Sequence, residues 1–512
     1  MENYFALSNP ISLIVDKSPD QFTREDLIKV IKEKHIERIT FHYFGLDGKL
    51  KELKIPIANR KQAERILADG ERVDGSSLFK GMVDVSVSDL YVIPVYRTAF
   101  LNPFDNGSLD FVCRYMTSTG DFAPFALDGI LYNAHAMFKR DTGYELHALG
   151  ELEFFLIGNQ EAMMYEGEKQ RGYHASAPFI KSGAVINEMV RHITQITGSI
   201  KYAHSEVGYL SSVRSDLEEI KGKPAEQLEI EFLPQPIDQA ADNLVIARWL
   251  IRNTAYKYGC VATFTPKLEE GVAGNGYHVH MELRKNGKNC MTDDDGKLLP
   301  DARKLIGGLC HYADTLTAFG NTVSSAYLRL VPNQEAPTRV CWSDMNRSAM
   351  IRVPLGWGKT KNLARKVNPQ EKTDVVYEAG RQTVELRSPD GSALTHLLLA
   401  GITMAAHWGL TNEGSSEIAE KLYVRGNIFK DKELLDRLTA LPTSCVESAR
   451  ILDQKRGLYE RENIFPKSTI DYIIKLLNAE KDEAMNEHLS DMPADDRLHE
   501  TRRIMHKDLH RH

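Results

Sequence analysis

Apolar and polar residues alternate along several short segments of the chain, and this alternation predicts β-strands that each have one polar face. The clearest segment covers residues 150–158, in which Glu151 and Glu153 share one face while Leu152 and Phe154 share the other. We expect the two apolar side chains to lie in the core. Taken alone, an alternating pair of glutamates is typical of a solvent-exposed strand face.

The same pattern recurs in three further strand-like segments and always brings ionisable side chains to one face. These pairs are Glu229 with Glu231, His278 with His280, and Glu385 with Arg387. Carboxylates and imidazoles that converge on one sheet face repel one another or stay undersatisfied unless a cation lies between them. Sites rich in oxygen ligands with a single imidazole suit Mg²⁺ or Mn²⁺ better than Zn²⁺. The pattern predicts a charged concave sheet that holds hard divalent metals.

The remaining periodicity predicts an α+β chain in which helices flank these strands. We expect a hairpin at 38–54, a strand at 89–95 and a loop at 72–81. Helices are predicted at 22–34, 60–68, 127–142, 184–197, 240–258, 301–319 and, buried, 394–410. The predicted organisation is an irregular lead-in (1–20), a small unit (21–124), a larger unit (125–485) and a polar, His-rich tail (486–512). We expect that tail to be solvated or disordered.

Composition narrows the class of function. With 512 residues the chain is long for one domain, and its content of 42% apolar and 26% charged residues is ordinary for a globular protein. A net charge of −7 gives no reason to expect a nucleic-acid partner. The six cysteines lack CxxC spacing and indicate free thiols, and we find no signal peptide and no membrane span. We therefore expect a cytoplasmic protein that has no membrane partner.

Nine short motifs, taken in order, resemble the class I glutamine synthetase family. They are VDGSSL (73–78), ELEFFL (151–156), SEV (205–207), LEIEF (228–232), ATFTPK (262–267), GNGYHVH (274–280), RLVPNQEAP (329–337), NRSAMIRVP (346–354) and ELRSPD (385–390). The resemblance implies a small N-terminal β-grasp domain (21–124) and a catalytic domain (125–485) with a curved antiparallel sheet and helices. It also implies a homododecamer of two hexameric rings with active sites shared between neighbouring subunits.

The resemblance further implies two Mg²⁺ or Mn²⁺ ions in each site and ATP as a substrate. Transfer of a phosphoryl group from ATP to a carboxylate makes an acyl phosphate that an amine can attack, and this transfer depends on positioning and charge neutralisation. By motif, one ion would be held by Glu153, Glu206 and Glu229, and the other by Glu151, His278 and Glu385.

Arginines and a second histidine take binding roles by the same resemblance. The candidates for the phosphoryl oxygens are Arg347, Arg352 and Arg387, and His280 would contact the nucleotide phosphates. Arg329 would hold the α-carboxylate of the amino-acid substrate, which a guanidinium binds with two parallel hydrogen bonds. The same pocket would also include Gly274, Glu153 and His278.

Three residues carry the implied chemistry of the amine. Asp74, donated by the adjacent subunit, would take a proton from ammonium, and Tyr173 would line the ammonium pocket. Glu335 would close the site on a flap and accept a proton from the tetrahedral adduct. Each residue also has an ordinary structural explanation, since Asp-Gly is a common turn dipeptide and an isolated loop glutamate is usually solvated.

Several positions depart from the family pattern. Ala273 stands where an asparagine usually contacts glutamate and the flap, and Thr383 replaces an arginine whose phosphate Arg381 could reach instead. Glu282 replaces a serine, Leu394-Thr395-His396 replaces Asn-Pro-Tyr, and the segment at 208–227 is longer than in typical members. The predicted metal set is preserved, whereas the amine and amino-acid pockets are altered.

Three functions remain open at this point. The first is glutamine synthesis from glutamate, ammonia and ATP through γ-glutamyl phosphate, which Asp74, Tyr173 and Glu335 favour. The second is ligation of glutamate to an organic amine, which Ala273 and the long segment at 208–227 favour. The third is a non-catalytic assembly or regulatory protein on the same fold, which the complete predicted metal set argues against.

Overall fold

The computed structural model describes residues 5–158, 165, 167–180, 182–331, 336–356, 360, 362–375 and 380–511. Within these residues, no helix is both long enough and apolar enough to cross a membrane. The chain forms two sheets, one in an N-terminal unit and one in a larger C-terminal unit, and helices pack around both.

The N-terminal sheet has six strands in the order β2-β1-β6-β4-β3, and β5 pairs with β6 outside this path. β1 runs antiparallel to β2 and parallel to β6. The strands are β1 (Arg38–Phe44), β2 (Leu50–Pro56), β3 (Glu71–Asp74), β4 (Asp89–Pro94), β5 (Phe100–Leu101) and β6 (Ser108–Met116).

The C-terminal sheet has ten strands in the order β14-β15-β16-β12-β7-β9-β8, with β10 and β11 paired to β7 and β13 to β12. All of its strand pairs are antiparallel except β14 with β15. The strands are β7 (Glu145–Ile157), β8 (Ile200–Leu210), β9 (Ala225–Phe232), β10 (Gln235–Pro236), β11 (Val261–Thr263), β12 (Val279–Lys285), β13 (Lys288–Asn289), β14 (Trp342–Asp344), β15 (Ile351–Val353) and β16 (Val384–Leu386).

Helices surround the two sheets. In and before the first unit they are α1 (Pro10–Val15), α2 (Arg24–Glu33), α3 (Arg60–Asp69) and α4 (Gly75–Leu78). The second unit begins with α5 (Leu127–Thr142), α6 (Gly183–Thr197), α7 (Ile237–Lys257), α8 (Pro300–Gly320), α9 (Ala326–Arg329), α10 (Ala364–Val367) and α11 (Thr395–Thr411). It ends with α12 (Ser415–Lys421), α13 (Lys432–Arg437), α14 (Cys445–Gln454), α15 (Gly457–Glu460), α16 (Lys467–Asn478), α17 (Met485–Ser490) and α18 (Ala494–His506).

One hydrophobic core runs through both units and fixes the N-terminal sheet against the helices of the larger unit. The ring of Phe44 on β1 lies 4.0 Å from that of His396 on α11, and the ring of His42 lies 5.1 Å from that of Trp249 on α7. Apolar contacts of this kind are the main stabilising contribution to folding. The long helix α7 packs directly against β7 of the larger sheet, and α11 packs against α7 on one side and against α8 on another.

The sequence prediction of the longer elements is confirmed. The helix predicted at 127–142 has these bounds, and the hairpin predicted at 38–54 appears as β1 and β2. Thr23 caps α2, because its hydroxyl accepts from the Asp26 N–H while the Asp26 carboxylate accepts from the Thr23 N–H.

Three local predictions are wrong. The lead-in contains the helix α1, capped by the Asn9 side chain. Residues 72–81, predicted as a loop, contain the end of β3 and the short helix α4. The His-rich tail is neither solvated throughout nor disordered, since α17 and α18 lie within it and Met505, His506 and Leu509 are buried.

Candidate active site

The site is built on β7, in the middle of the larger sheet. Leu152 and Phe154 are buried in the core, as the alternation predicts, and Glu151 and Glu153 therefore project from the other face. Antiparallel pairing with β9 sets Glu231 opposite Glu151 and Glu229 opposite Glu153. Strand register thus brings four carboxylates onto one face of two neighbouring strands.

A first group of side chains joins β7, β12 and β16. Glu151, His278 and Glu385 each offer a ligand atom, and these atoms lie within 4.8 Å of one another. His278 Nδ1 donates to Glu151 Oε2 at 2.7 Å and lies 3.7 Å from Glu385 Oε1. It is also 3.9 Å from Glu153 Oε1. The three residues, two carboxylates and one imidazole, lie close enough together to hold one metal ion.

Two arginines bind the carboxylate of Glu385. Arg352 Nη1 donates to Glu385 Oε2 at 2.8 Å, and Arg387 Nη1 donates to Glu385 Oε1 at 2.7 Å. Burial acts to raise the pKa of Glu385, but the charges of Arg387 and His280 outweigh it and hold that pKa below its usual value. The site therefore holds the Glu385 carboxylate, whose ionised form is favoured, between two guanidinium groups.

His280 links Glu151 to the neighbouring strand. Its Nε2 donates to Glu151 Oε1 at 2.9 Å, and its Nδ1 lies 3.0 Å from the hydroxyl of Thr383. Burial acts to raise the pKa of Glu151, but the charge of His280 and hydrogen bonds from both imidazoles hold it well below its usual value. The Thr383 hydroxyl thus helps to orient the His280 ring.

A second group, on β8 and β9, contains His204, Glu206 and Glu229, whose ligand atoms also lie within 4.8 Å of one another. His204 Nδ1 donates to the Ser205 carbonyl at 3.1 Å, and its Nε2 lies 3.6 Å from Glu229 Oε1. Burial, followed by the nearby charges of Glu151 and Glu153, raises the pKa of Glu229 although His204 opposes the rise.

The donor set of both groups suits a hard divalent cation. Glutamate oxygens dominate, no cysteine belongs to either group, and each group has one imidazole. A carboxylate such as Glu229, whose ionisation is opposed by burial and by other carboxylates, is a group that a divalent cation would stabilise in its charged form. The residues present therefore fit Mg²⁺ or Mn²⁺.

The glycine loop before β12 lies against these ligands. The Gly276 N–H donates to Glu153 Oε2 at 2.8 Å. A Cβ atom at Gly274 would lie 3.1 Å from Cγ and Cδ of Arg329, so glycine allows this close approach. Arg329 is buried and donates from Nη1 to the Ser388 carbonyl at 3.1 Å. The glycine loop, Arg329 and the candidate metal ligand Glu153 thus form one wall of the site.

Tyr173 and Arg347 lie on the side of the second group. The Tyr173 ring is 4.3 Å from that of His174 and 5.3 Å from that of His204. Burial, then the charge of Glu206, raises the pKa of Tyr173, while the charge of Arg347 lowers it. Both Tyr173 and Arg347 are exposed, so this region is open to small molecules.

Asp74 lies apart from the other candidate site residues that the structure describes. Asp74 is exposed at the start of α4, where it accepts from the Ser76 N–H and from the hydroxyls of Ser76 and Ser77. Bonds from Ser77 and then Ser76 lower the pKa of Asp74 to about 2, so it is ionised at neutral pH. Glu335 lies outside the described residues.

Comparison with known proteins decides the family. Residues 35–118 match the glutamine synthetase β-grasp domain, and residues 129–493 match the glutamine synthetase catalytic domain. The chain belongs to the glutamine synthetase family. Family members are ATP-dependent ligases, and the catalytic-domain match supports ligase activity here. The class I resemblance and the β-grasp fold expected from the nine motifs are thereby confirmed.

Individual relatives are moderately similar over most of their length. The glutamine synthetase of Methylococcus capsulatus is 26% identical over 493 residues, covering 90% of this chain and 96% of that protein. The enzyme of Thermotoga maritima is 29% identical over 459 residues, covering 87% and 94%. Among solved structures, Plasmodium falciparum glutamine synthetase has a TM-score of 0.70 at 20% identity, covering 93% of this chain and 98% of that one. Apo GmaS without ligand has a TM-score of 0.69 at 20% identity, with coverage of 92% and 98%.

Three polar residues of this glutamine synthetase fold were missed by the sequence analysis. His204 lies two residues before Glu206 on β8, so the alternation that singled out the other pairs also applies to it. Gln227 is buried on β9 and donates to the Gly274 carbonyl at 3.1 Å and to Asn275 Oδ1 at 3.1 Å. Lys201 donates to Glu231 Oε1 at 2.6 Å, a pairing across strands that no local pattern indicates.

Proposed function

We propose that this protein ligates glutamate to ammonia at the expense of ATP, forming glutamine, ADP and phosphate through γ-glutamyl phosphate. The observation that carries the proposal is the shared sheet face on which Glu151, His278 and Glu385 meet beside Arg352 and Arg387. A non-catalytic protein of the family would have no use for this arrangement.

The metal ions and the arginines have separate tasks in this proposal. One ion would be held by Glu151, His278 and Glu385 and the other by Glu153, Glu206 and Glu229. Both ions would neutralise negative charge on the phosphates of ATP. Arg352 and Arg387 would bind oxygens of the transferred phosphoryl group, and exposed Arg347 would approach them from the opposite side. Preorganised positive charge of this kind lowers the barrier without rearrangement at the moment of transfer.

The amino acid would bind along the glycine loop. Arg329 would take its α-carboxylate, next to Gly274 and Gly276. Ala273 lacks the side chain that usually contacts glutamate, and Asn275 does not replace it, because its amide is buried and donates to the Thr265 carbonyl at 2.9 Å. One missing hydrogen bond weakens glutamate binding by about 1 kcal/mol. We therefore expect a KM for glutamate above that of relatives with the asparagine.

The amine would enter beside Tyr173 and Glu206. We propose that Asp74 of a neighbouring subunit completes this pocket in a homododecamer of two hexameric rings, since its own contacts are local and its carboxylate is ionised. Glu335 would accept the proton released from the tetrahedral adduct. A cytoplasmic location also remains part of this proposal.

A second acceptor class has one observation in its favour. The rings of Tyr173, His174 and Tyr202 surround His204 at centroid distances of 5.3, 4.2 and 5.8 Å. Aromatic faces next to carboxylates attract alkylammonium ions through cation–π contacts as well as charge. A small organic amine is therefore the alternative to ammonia.

An assay of phosphate release distinguishes the two acceptors. The protein would be given glutamate, ATP and Mg²⁺ with ammonia, methylamine, ethanolamine or a polyamine, with the Glu151→Ala variant as the inactive control. We expect the highest kcat/KM with ammonia. Robust turnover with one of the organic amines and none with ammonia would replace the first acceptor by the second. Absence of phosphate release with every amine would contradict ligase activity.

A further inference from the structure

The C-terminal segment, residues 494–511, packs against the residues that precede the glycine loop. The match to the catalytic domain ends at residue 493, and α18 begins at Ala494. Leu509, beyond this helix, is 2% exposed and belongs to a separate apolar cluster. The other buried members of that cluster are Phe155, Ile157, Val213, Ile220, Ala225, Leu268 and Val272.

Several members of this cluster come from the long segment between β8 and β9. Val213 and Ile220 are buried there, and Leu217 packs against the cluster from the same segment. The long segment at 208–227 and the C-terminal segment beyond the catalytic-domain match are therefore packed against each other. Each buries apolar surface that the other would leave exposed to water.

Hydrogen bonds tie the C-terminal segment to the chain that precedes the glycine loop. The Thr263 hydroxyl donates to the Leu509 carbonyl at 2.8 Å, and the Thr265 hydroxyl donates to the Met505 carbonyl at 2.8 Å. Helix C-termini leave carbonyls without partners inside the helix, and Thr265 satisfies one of these at Met505, in the last turn of α18. Arg502 adds an ion pair to Glu269 at 2.9 Å.

His506 joins all three segments. Its Nε2 lies 2.9 Å from the Leu268 carbonyl, and its Nδ1 lies 2.9 Å from the hydroxyl of Ser215. A carbonyl only accepts, so Nε2 carries the hydrogen and Nδ1 of the neutral ring accepts from Ser215. The Ser215 oxygen in turn accepts from the Leu217 N–H at 3.1 Å. Burial lowers the pKa of His506, which favours this neutral form.

The braced chain continues directly into the site. The Asn275 N–H donates to the Pro266 carbonyl at 2.9 Å, and the Asn275 amide donates to the Thr265 carbonyl at 2.9 Å. The Gly276 N–H then donates to Glu153. The position of residues 264–268 thus determines where the glycine loop lies relative to Glu153.

We propose that His506 is a positioning residue, which, together with the 208–227 segment, holds residues 264–276 in the place where they bind the amino-acid substrate. This inference rests on the proposed function for the identity of that substrate, but the brace itself does not depend on it. Loosening the loop would weaken binding of the amino acid more than it would slow phosphoryl transfer, because Arg352 and Glu385 lie on β15 and β16 and not on this loop.

The test compares His506→Ala and the milder Ser215→Ala with two references. His506→Gln retains an N–H that can donate to the Leu268 carbonyl. His499→Ala is the matched control, because His499 lies on the same helix and pairs with Asp216 of the same segment, at 3.1 Å, but both side chains are exposed. Amide hydrogen exchange of residues 264–276 is measured for each folded protein, alongside KM for glutamate, KM for ATP and kcat.

We expect faster exchange at 264–276 and a several-fold higher KM for glutamate in His506→Ala, with a smaller effect in Ser215→Ala. The KM for ATP and kcat should stay close to those of the unsubstituted protein, His506→Gln should recover part of the loss, and His499→Ala should change nothing. Unchanged exchange in both alanine variants overturns the brace. Faster exchange with unchanged KM for glutamate overturns its role in binding. If the unsubstituted protein shows no ligase turnover, the proposed function fails, and hydrogen exchange still decides whether the brace exists.

Discussion

Gly276 offers a direct test of how closely the glycine loop fits the site. An alanine Cβ at this position would lie 2.7 Å from His278 Nε2, 3.0 Å from Arg329 Nη2 and 3.0 Å from Glu153 Oε1. Ordinary contacts of a Cβ begin at 3.4 Å, so the imidazole would have to move by about 0.7 Å. Gly276→Ala therefore disturbs three groups of the site with a single methyl group.

The expected loss of metal affinity follows from how little the metal–ligand distances in a protein can vary. Ligand distances hold to within about 0.2 Å, and disturbing the groups that orient ligands typically costs 10- to 100-fold in metal affinity or activity. Overpacking of this size costs about 1–3 kcal/mol of folding stability. We expect Gly276→Ala to fold, to lose about 10- to 100-fold in Mg²⁺ or Mn²⁺ affinity and to lose most of its ligase activity.

Titration calorimetry with Mn²⁺ and thermal unfolding would measure the two effects. Gly457→Ala is the control, since a Cβ there meets nothing within 4 Å and the residue lies in the helix α15. Its stability should not fall and should rise by at most about 1 kcal/mol, because alanine favours a helix more than glycine does, and its metal affinity should not change. Wild-type Mn²⁺ affinity in folded Gly276→Ala protein would refute the placement of the loop against metal ligands.

Three further predictions concern the shared site, the substrate and pH. A Glu151→Ala chain and an Asp74→Ala chain should each be inactive, whereas mixed oligomers should recover activity because some interfaces pair two intact halves; verified mixtures without recovery would count against a shared site. Ala273→Asn should lower the KM for glutamate several-fold in steady-state kinetics, and an unchanged KM would show that this position does not contact the amino acid. Burial acts to raise the pKa of Glu480, but hydrogen bonds from Lys507, Ser324 and Arg511 outweigh it and lower that pKa from 4.5 to about 2. A carboxyl whose pKa is lower in the folded than in the unfolded protein stabilises the fold at pH values above its unfolded pKa. Glu480→Gln should therefore lower the free energy of unfolding by about 2–3 kcal/mol at pH 7. Urea titrations should show this difference from wild type vanish as the pH falls from about 4.5 to 2. A difference that does not depend on pH would contradict this origin.

The sequence predicts most of the fold because the periodic elements are long. The helix at 127–142 and the strand carrying Glu151 are defined by apolar positions whose burial decides their orientation. The prediction of a loop after Arg72 is wrong because Asp-Gly-Ser-Ser is typical of a turn, whereas here Asp74 caps a short helix.

Local patterns also identify most of the site, but not its cross-chain contacts. Same-face alternation singles out Glu151, His278 and Glu385, and strand register then brings them together. The many polar residues of the tail predict a solvated segment, although Met505 and Leu509 within it are buried, and Leu509 fills a cluster whose other buried members come from residues 155–272. No pattern within the tail indicates that distant partner.

The brace has a consequence for how the molecule is made. Its threonine bonds join residues that are 246 and 240 positions apart, and the later partner in each lies within the last eight residues of the chain. At about 5–20 residues per second, roughly 12 to 50 s separate synthesis of the loop from synthesis of its support. On the ribosome, the strands that carry the candidate metal ligands are all synthesised before the C-terminal segment that supports the glycine loop. A nascent chain therefore contains these ligands well before the amino-acid pocket is held in place.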